Sequence, residues 1–339
     1  MKDVRYDEGT RYFLCCSEIY SNIEYSFEYN QEYSSDIDIS RYEVQLLINP
    51  YLNRESNIFQ LKDDHGAIGY VFPITVLDSD EDLDEQYRDF HKYVYAAYTV
   101  LLSRLPRITD TSCLSANFED NICVFMLNKR ITRDGNDISS CIHSLRKRGY
   151  SYFIDNNKIT SVNYYDPQRY CSQTCIRLIF SNPPLYNHFT IRYLLEEYPK
   201  AASSIHRFVL LYQIIEFLFD IDAKTEASEI IAKFNSNQIS YNDFSSDLRA
   251  LTSEKTKINN IFGKCGSLAN MSNFNQSYTD LCNCIRYHPN CNSDAERFYS
   301  FRNLLTHSYR LPHQHEQELN RTIQDAELLI LEIVEKYPA

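Results

Sequence analysis

Apolar and polar positions alternate over roughly residues 41–181, whereas further along the chain they recur with a helical period. Alternation with β-branched and aromatic residues predicts half-buried strands, and a period of three to four residues predicts amphipathic helices. The strands predicted in this way are 42–48, 67–77, 122–127, 150–154, 158–165 and 174–180. Two helices are predicted between them, 83–105 and 137–149, the second with Asp137 as its N-cap and Gly149 as its stop.

The pattern changes after the two prolines of segment 181–189, and only helical signatures follow from about residue 201. Segment 203–220 is apolar around most of its circumference, which predicts a central helix of a bundle. Further helices are predicted at 224–235, 243–262, 276–286, 293–309 and 316–337. The expected fold class is α+β: a mixed α/β domain of sensor or regulatory type, residues 1–195, followed by an all-α bundle, residues 196–339.

Composition argues against several classes of protein. Only 7 of the 339 residues are glycine, and neither of the glycine-rich loops that cradle nucleotide phosphates occurs. No stretch of about 18 apolar residues predicts a membrane span. The charged N-terminal segment lacks the apolar core of a secretory signal, so the 11 cysteines are interpreted as reduced thiols of a cytoplasmic protein.

Charge is distributed unevenly. Residues 1–100 carry 8 basic and 20 acidic side chains, residues 101–200 carry 13 and 9, and residues 201–339 carry 13 and 17. The total of −12 argues against a broad nucleic-acid surface, and only the middle third is basic.

One basic segment within that third combines cations with aromatic rings, a pattern that suits RNA. Its candidate RNA-binding residues are Arg146, Lys147, Arg148 and Tyr150. The alternative, which we favour, is the basic end of a helix followed by an edge strand.

The segment FYSFRNLLTH, residues 298–307, places an arginine and a histidine on one predicted helix. At 100° per residue, Asn303 and His307 lie side by side, one turn apart, and opposite the apolar face. Arg302 flanks that face. This spacing also arises by chance, and a second match, Arg310 with His315, is interrupted by a proline.

The position of this segment among the predicted helices supports a more specific interpretation. RNLLTH, on a late helix that is followed by one closing amphipathic helix, resembles the active motif of the HEPN superfamily. RFVLLYQIIEFLF, residues 207–219, is similar to the long second-helix segment of the Apea-like branch, which is associated with phage defence, and it includes a glutamate, Glu216. The resemblance covers about residues 201–337.

The resemblance implies a toxin or abortive-infection endoribonuclease that uses no metal or other cofactor and acts as a homodimer on RNA. Arg302 would grip the phosphate, His307 would serve as base or acid, and Asn303 would bind the phosphate or orient His307. Arg310, Tyr309 and Glu216 would support the site. The N-terminal domain would gate it in response to a phage-derived trigger or an antitoxin partner.

Other readings stay open. The first alternative is a non-catalytic HEPN protein that binds a partner or nucleic acid. Arg302 would then pair with an acid such as Glu216 or Glu296, and His307 would be a surface residue. A third reading, a nucleotidyltransferase-like antitoxin, would use Asp36 and Asp38 of SSDIDIS to hold Mg²⁺, although the required upstream glycine turn is missing.

A zinc site is also possible in CNCIRYHPNC. Its ligands would be Cys282, Cys284, His288 and Cys291, but the C-x-C start differs from the common C-x₂-C turn. Ordinary buried or surface thiols are the favoured reading.

Overall fold

The chain is mixed α+β and divides into two compact units. The first contains Met1–Cys141, Arg148–Asn157 and Pro167–Ile179, and the second contains Ile142–Lys147, Lys158–Asp166 and Phe180–Ala339. The boundary at 195/196 stays a prediction. The computed structural model describes residues 4–7, 12–15, 25–28, 38–49, 58–78, 90–104, 115, 118–119, 121–132, 136–153, 175–180, 185, 189–201, 203–308 and 310–338.

Two sheets occur in the described part of the first unit. Strands β1 to β3 form an antiparallel sheet, and the other six form a sheet of order β8-β4-β7-β6-β5-β9 in which only β5 and β9 are parallel. The strands are β1 (Val4–Asp7), β2 (Tyr12–Cys15), β3 (Tyr25–Glu28), β4 (Tyr42–Ile48), β5 (Phe59–Lys62), β6 (Ala67–Pro73), β7 (Ile122–Asn128), β8 (Ser151–Tyr152) and β9 (Cys175–Arg177).

Helix α1 (Phe90–Arg104) packs on the six-stranded sheet through aromatic rings. The Phe90 ring centroid lies 4.9 Å from that of Tyr70 and 5.0 Å from that of Phe72. Strands β6 and β7 approach closely at Gly69, where a Cβ would lie 2.0 Å from the Met126 carbonyl oxygen. A larger residue there would force the two strands apart.

Helix α2 (Ile138–Arg146) begins where the sequence predicts but ends three residues before Gly149, the predicted stop. The Asp137 carboxylate accepts a 3.0 Å hydrogen bond from the Ser140 amide, which is N-capping geometry. Gly149 closes the following turn with φ of 85°, a conformation that other residues rarely adopt.

The second unit is helical throughout most of its described residues. Its α-helices are α3 (Phe189–Glu197), α4 (Ser204–Asn235), α5 (Tyr241–Ala250), α6 (Glu254–Cys265), α7 (Met271–Ile285), α8 (Asp294–His307) and α9 (Glu316–Lys336). Across the described ranges, we find no helix with the length and apolarity needed to cross a membrane.

Several predicted boundaries are wrong. The helices predicted at 203–220 and 224–235 form the single helix α4, because neither glycine nor proline interrupts the chain between them. Conversely, segment 243–262 contains two helices, since the Ser253 hydroxyl accepts from the Thr256 amide and starts α6.

The first domain also differs from its prediction. Strand 67–77 ends at Pro73 and continues as a 3₁₀ turn, because proline has no amide hydrogen to extend the ladder. Strand β5 was not predicted from the sequence. Strand 158–165 and the beginning of helix 83–105 lie outside the described residues.

The helix predicted to be central has an open face. On α4, exposed residues recur at helical spacing, including His206, Gln213, Glu216 and Asp220. Every residue of α9 from Thr322 to Val334 is instead buried. The last helix is therefore the more deeply buried, and the open face of α4 is accessible to solvent.

Candidate functional site

Helix α8 presents the candidate motif. Its N-cap is Ser293, whose hydroxyl accepts a 3.2 Å hydrogen bond from the Glu296 amide, and its last residue is His307. The buried residues of the helix include the whole predicted apolar face: Phe298, Phe301, Leu304 and Leu305.

Aromatic packing fixes that face against neighbouring helices. The Phe301 ring centroid lies 5.0 Å from that of Phe208 on α4 and 5.6 Å from that of Phe274 on α7. Edge-to-face aromatic contacts favour particular ring orientations. Rotation of α8 about its axis is thus restricted, and the motif residues are held on the outer side.

Arg302 makes a polar contact through each of its guanidinium nitrogens. Nη1 donates a 3.1 Å hydrogen bond to Asn303 Oδ1, Nε lies 3.5 Å from Glu254 Oε1, and Nη2 lies 3.9 Å from Glu216 Oε1. The guanidinium carbon also lies 5.6 Å from the Tyr212 ring centroid. The side chain is 22% exposed, so it is held by α4 and α6 yet still reaches solvent.

Glu254 is itself fixed by Tyr212, whose hydroxyl donates a 2.6 Å hydrogen bond to Glu254 Oε1. Burial, together with this hydrogen bond, raises the pKa of Tyr212 well above its usual value, so the phenol stays protonated and remains a donor. Burial also raises the pKa of Glu216; Arg302 opposes that shift, whereas Glu254 and Asp220 add to it.

His307 lies at the C-terminal end of α8 and is exposed, as is Arg310 beyond it. Asn303 is half-buried one turn before His307. By helix geometry, Arg302 and His307 are about 140° apart around the axis and about 7.5 Å apart along it. Asn303 follows Arg302 directly in the chain and lies one turn before His307, and Tyr309 lies outside the described residues.

An open groove of about 610 Å³ lies beside the two acids that contact Arg302. Glu216 and Glu254 line it, together with Asp220, Thr252 and Lys257. Its wall therefore carries three carboxylates and one ammonium. Arg302 contacts two of those carboxylates and therefore lies at the edge of an acidic groove.

The basic segment at the end of α2 is only partly accessible. Arg146 and Tyr150 are 4% and 3% exposed, and the Arg146 guanidinium carbon lies 5.7 Å from the Tyr198 ring centroid. Lys147 forms an ion pair with the buried Glu335 carboxylate. A buried guanidinium and a buried phenol are not exposed to a polyanion, and Arg148 alone adds little charge.

The cysteine segment does not assemble as a metal centre. Cys282 is buried, which raises the pKa of its thiol to about 11, whereas Cys284 and His288 are exposed. Burial likewise raises the pKa of Cys291. Among the described residues, there is no group of three or more His, Cys, Asp or Glu side chains that could hold a metal ion.

Asp38 caps its own turn. Its carboxylate accepts hydrogen bonds from the Ser40 amide, 3.1 Å, and from Arg41 Nε, 2.9 Å. The hydrogen bond from the Ser40 hydroxyl is the main cause that lowers the pKa of Asp38. Asp36 lies outside the described residues.

Sequence reasoning named Glu216 as a supporting residue but missed Tyr212 and Glu254. The signal for Tyr212 was its place one turn before Glu216 in α4. Glu254 carried no signal, because it follows a capping serine and reads as an ordinary first-turn acid. Of the two acids considered as partners of Arg302, Glu216 is in contact, whereas Glu296 pairs with Lys255.

Comparison with known proteins gives no further identification: no family model, curated protein or solved structure matches this chain. The HEPN resemblance therefore stays a prediction from the motif and the order of its helices.

Proposed function

We propose that this protein is a HEPN-type endoribonuclease of the toxin or abortive-infection kind, acting without a metal. Its substrate is RNA, and its site is Arg302, Asn303 and His307. The N-terminal domain gates the site in response to a phage-derived trigger or an antitoxin partner. A nuclease that cleaved host RNA without such control would kill its host.

In the proposed reaction the ribose 2′-oxygen attacks the adjacent phosphorus, and the 5′-oxygen of the next nucleotide leaves. The products are a 2′,3′-cyclic phosphate and a 5′-hydroxyl. A histidine that titrates near neutrality can take the proton from the 2′-hydroxyl or give one to the leaving oxygen. The guanidinium stabilises the negative charge that builds on the phosphate, because arginine stays protonated and binds two oxygens at once.

The observation that carries this proposal is the arrangement at the end of α8. His307 is exposed, Asn303 lies one turn before it, and the Asn303 amide accepts a hydrogen bond from Arg302 Nη1. A cation thus contacts Asn303, and an imidazole lies one helical turn after it. One histidine serves as either base or acid, so a complete site needs a second copy of the motif, and a homodimer is the assembly that supplies one.

Cleavage by the purified full-length protein tests the proposal directly. Labelled RNA is incubated in EDTA with the parent, with His307→Ala and with Arg302→Ala. Removing either side chain should slow cleavage by about 10²-fold or more. The products of the parent should carry cyclic phosphate ends, which acid opens and phosphatase then removes.

A matched control is His288→Ala, which removes another exposed histidine from the same unit. It should cleave like the parent. Cleavage by His307→Ala at the parental rate would contradict the proposal, as would products that end in a 3′-hydroxyl. Growth of bacteria after induction of the parent and of His307→Ala extends the test to RNA inside the cell.

A non-catalytic HEPN protein is the second candidate. The contacts of Arg302 with Glu216 and Glu254 favour it, since an arginine held by acids also serves to join α8 to its neighbours. This candidate requires a partner or nucleic acid to bind without RNA cleavage. Binding of a partner or nucleic acid without RNA cleavage, in every condition tested, would favour this second candidate.

A further inference from the structure

The guanidinium of Arg302 is already occupied by side chains of its own unit. The edge formed by Nε and Nη2 can bind two oxygens of a phosphate, and in this protein it faces Glu254 at 3.5 Å and Glu216 at 3.9 Å. The remaining nitrogen, Nη1, donates to Asn303 at 3.1 Å. A phosphate that binds the Nε–Nη2 edge must therefore displace a carboxylate.

Glu254 is the better fixed of the two acids. Tyr212, only 4% exposed, donates a 2.6 Å hydrogen bond to Glu254 Oε1, the same oxygen that faces Arg302 Nε. Glu216 is the more exposed acid, since 47% of its side chain is accessible, against 27% for Glu254. The Tyr212 hydroxyl thus holds a carboxylate oxygen where a phosphate oxygen would bind.

The charges around Arg302 also oppose the binding of a phosphate. One guanidinium faces Glu216 and Glu254, and Asp220 lies close enough to affect the pKa of Glu216. Lys257 is the second cation of the groove, and its ammonium lies 5.7 Å from the Phe219 ring centroid. Three carboxylates against two cations repel an approaching polyanion, and loss of any one of the carboxylates reduces that repulsion.

From this geometry we propose that Glu254, held by Tyr212, is an autoinhibitory residue that competes with the RNA phosphate for Arg302. The inference rests on the proposed function, because it assigns Arg302 to the phosphate. The contact is partly open to solvent, so the competition weakens RNA binding without abolishing it.

Binding of a non-cleavable RNA tests the proposal separately from catalysis. The probe is a fluorescent 2′-O-methyl oligoribonucleotide, which lacks the attacking hydroxyl, and its anisotropy is measured at fixed salt with the full-length protein. Glu254→Gln removes the charge but keeps an oxygen for the Tyr212 hydroxyl. It should bind the probe about three- to tenfold more tightly than the parent.

Two further variants locate the effect. Tyr212→Phe keeps the ring beside Arg302 and removes only the hydroxyl, so affinity should rise by about two- to threefold. The double variant Glu254→Gln with Arg302→Ala should lose the gain, because the released guanidinium is no longer there. Thermal melts of each variant show whether it is folded.

The control for net charge is Glu229→Gln, which neutralises an exposed acid of α4 outside the groove lining. Its affinity should stay within about twofold of the parent, since an exposed distant charge is screened. The proposal is overturned if Glu254→Gln binds no more tightly than the parent, if Glu229→Gln gains as much, or if the gain persists without Arg302.

These outcomes separate the inference from the proposed function. If the parent cleaves RNA through His307 but Glu254→Gln binds the probe no more tightly, the proposed nuclease activity stands and the proposed autoinhibition is wrong. If Glu254→Gln binds the probe more tightly through Arg302 but no variant cleaves RNA, the competition at Arg302 stands and the proposed nuclease activity is wrong.

Discussion

Carboxylates of the second unit meet cations in two contrasting environments. At the C-terminal end of α9, the Glu335 side chain is 3% exposed and binds Lys147 and the Ser144 hydroxyl. Beside α8, the Glu216 and Glu254 side chains are 47% and 27% exposed and approach Arg302 only to 3.9 and 3.5 Å. Sequestered pairs hold the fold, whereas loose and accessible pairs can exchange partners with a ligand.

The largest effect in this comparison is expected from Glu335→Ala. It leaves Lys147, which is 19% exposed, without its carboxylate and the Ser144 hydroxyl without its acceptor. The free energy of unfolding should fall by about 2–3 kcal/mol, measured by urea denaturation at pH 7. Glu229→Ala is the control on exposed helix surface, and an equal loss in both variants would remove the distinction.

A smaller and pH-dependent effect is expected at Glu332 of α9. Its carboxylate accepts from the amides of Ala269 and Asn270, at 2.8 and 2.9 Å, and lies 2.7 Å from Lys336 Nζ. Burial raises the pKa of Glu332, but these hydrogen bonds outweigh it and the net shift is downward. The stability from this group is therefore present above the ordinary pKa of 4.5 and is lost as the pH falls below it.

Glu332→Gln replaces one acceptor oxygen with an amide donor, so one backbone amide near the start of α7 loses its partner. The variant should be less stable than the parent by about 1–2 kcal/mol at pH 7. Denaturation at a series of pH values should show this difference narrowing as the pH falls from about 5 to 3. A difference that widens on acidification would mean that the sign is wrong.

The smallest effect on stability is expected at the open pairs. Glu254→Gln and Glu216→Gln should each change the free energy of unfolding by less than about 1 kcal/mol, since partly exposed ion pairs contribute little. The same urea titration measures both. A loss as large as that of Glu335→Ala would show that the acids around Arg302 serve mainly to hold α4, α6 and α8 together.

Much of the outer geometry of the motif was predictable because it is local. A helical period places Phe298, Phe301 and Leu305 on the inner side, and all three are buried. The same period sets Asn303 one turn before His307. The N-cap at Asp137 was predictable for the same reason, since capping depends on a residue and its next few amides.

Residue type did not decide which charges would be exposed. Arg146 and Arg302 are both arginines at the basic or polar side of a helix, yet the first is 4% exposed and the second retains 22% exposure of its side chain. A sequence pattern gives the direction of a side chain relative to its own helix. Whether another helix covers that direction depends on packing between distant segments.

The sequence by itself determined the α+β composition, the inner and outer faces of α8 and the position of Asn303 one turn before His307, because these follow from backbone periodicity. Only the tertiary structure decided that Tyr212 and Glu254, 42 residues apart, meet at Arg302. It also decided that α4 keeps an open face while α9 is buried. The physical reason is that an ion pair or a buried surface forms between elements, and its partners are chosen by how those elements pack.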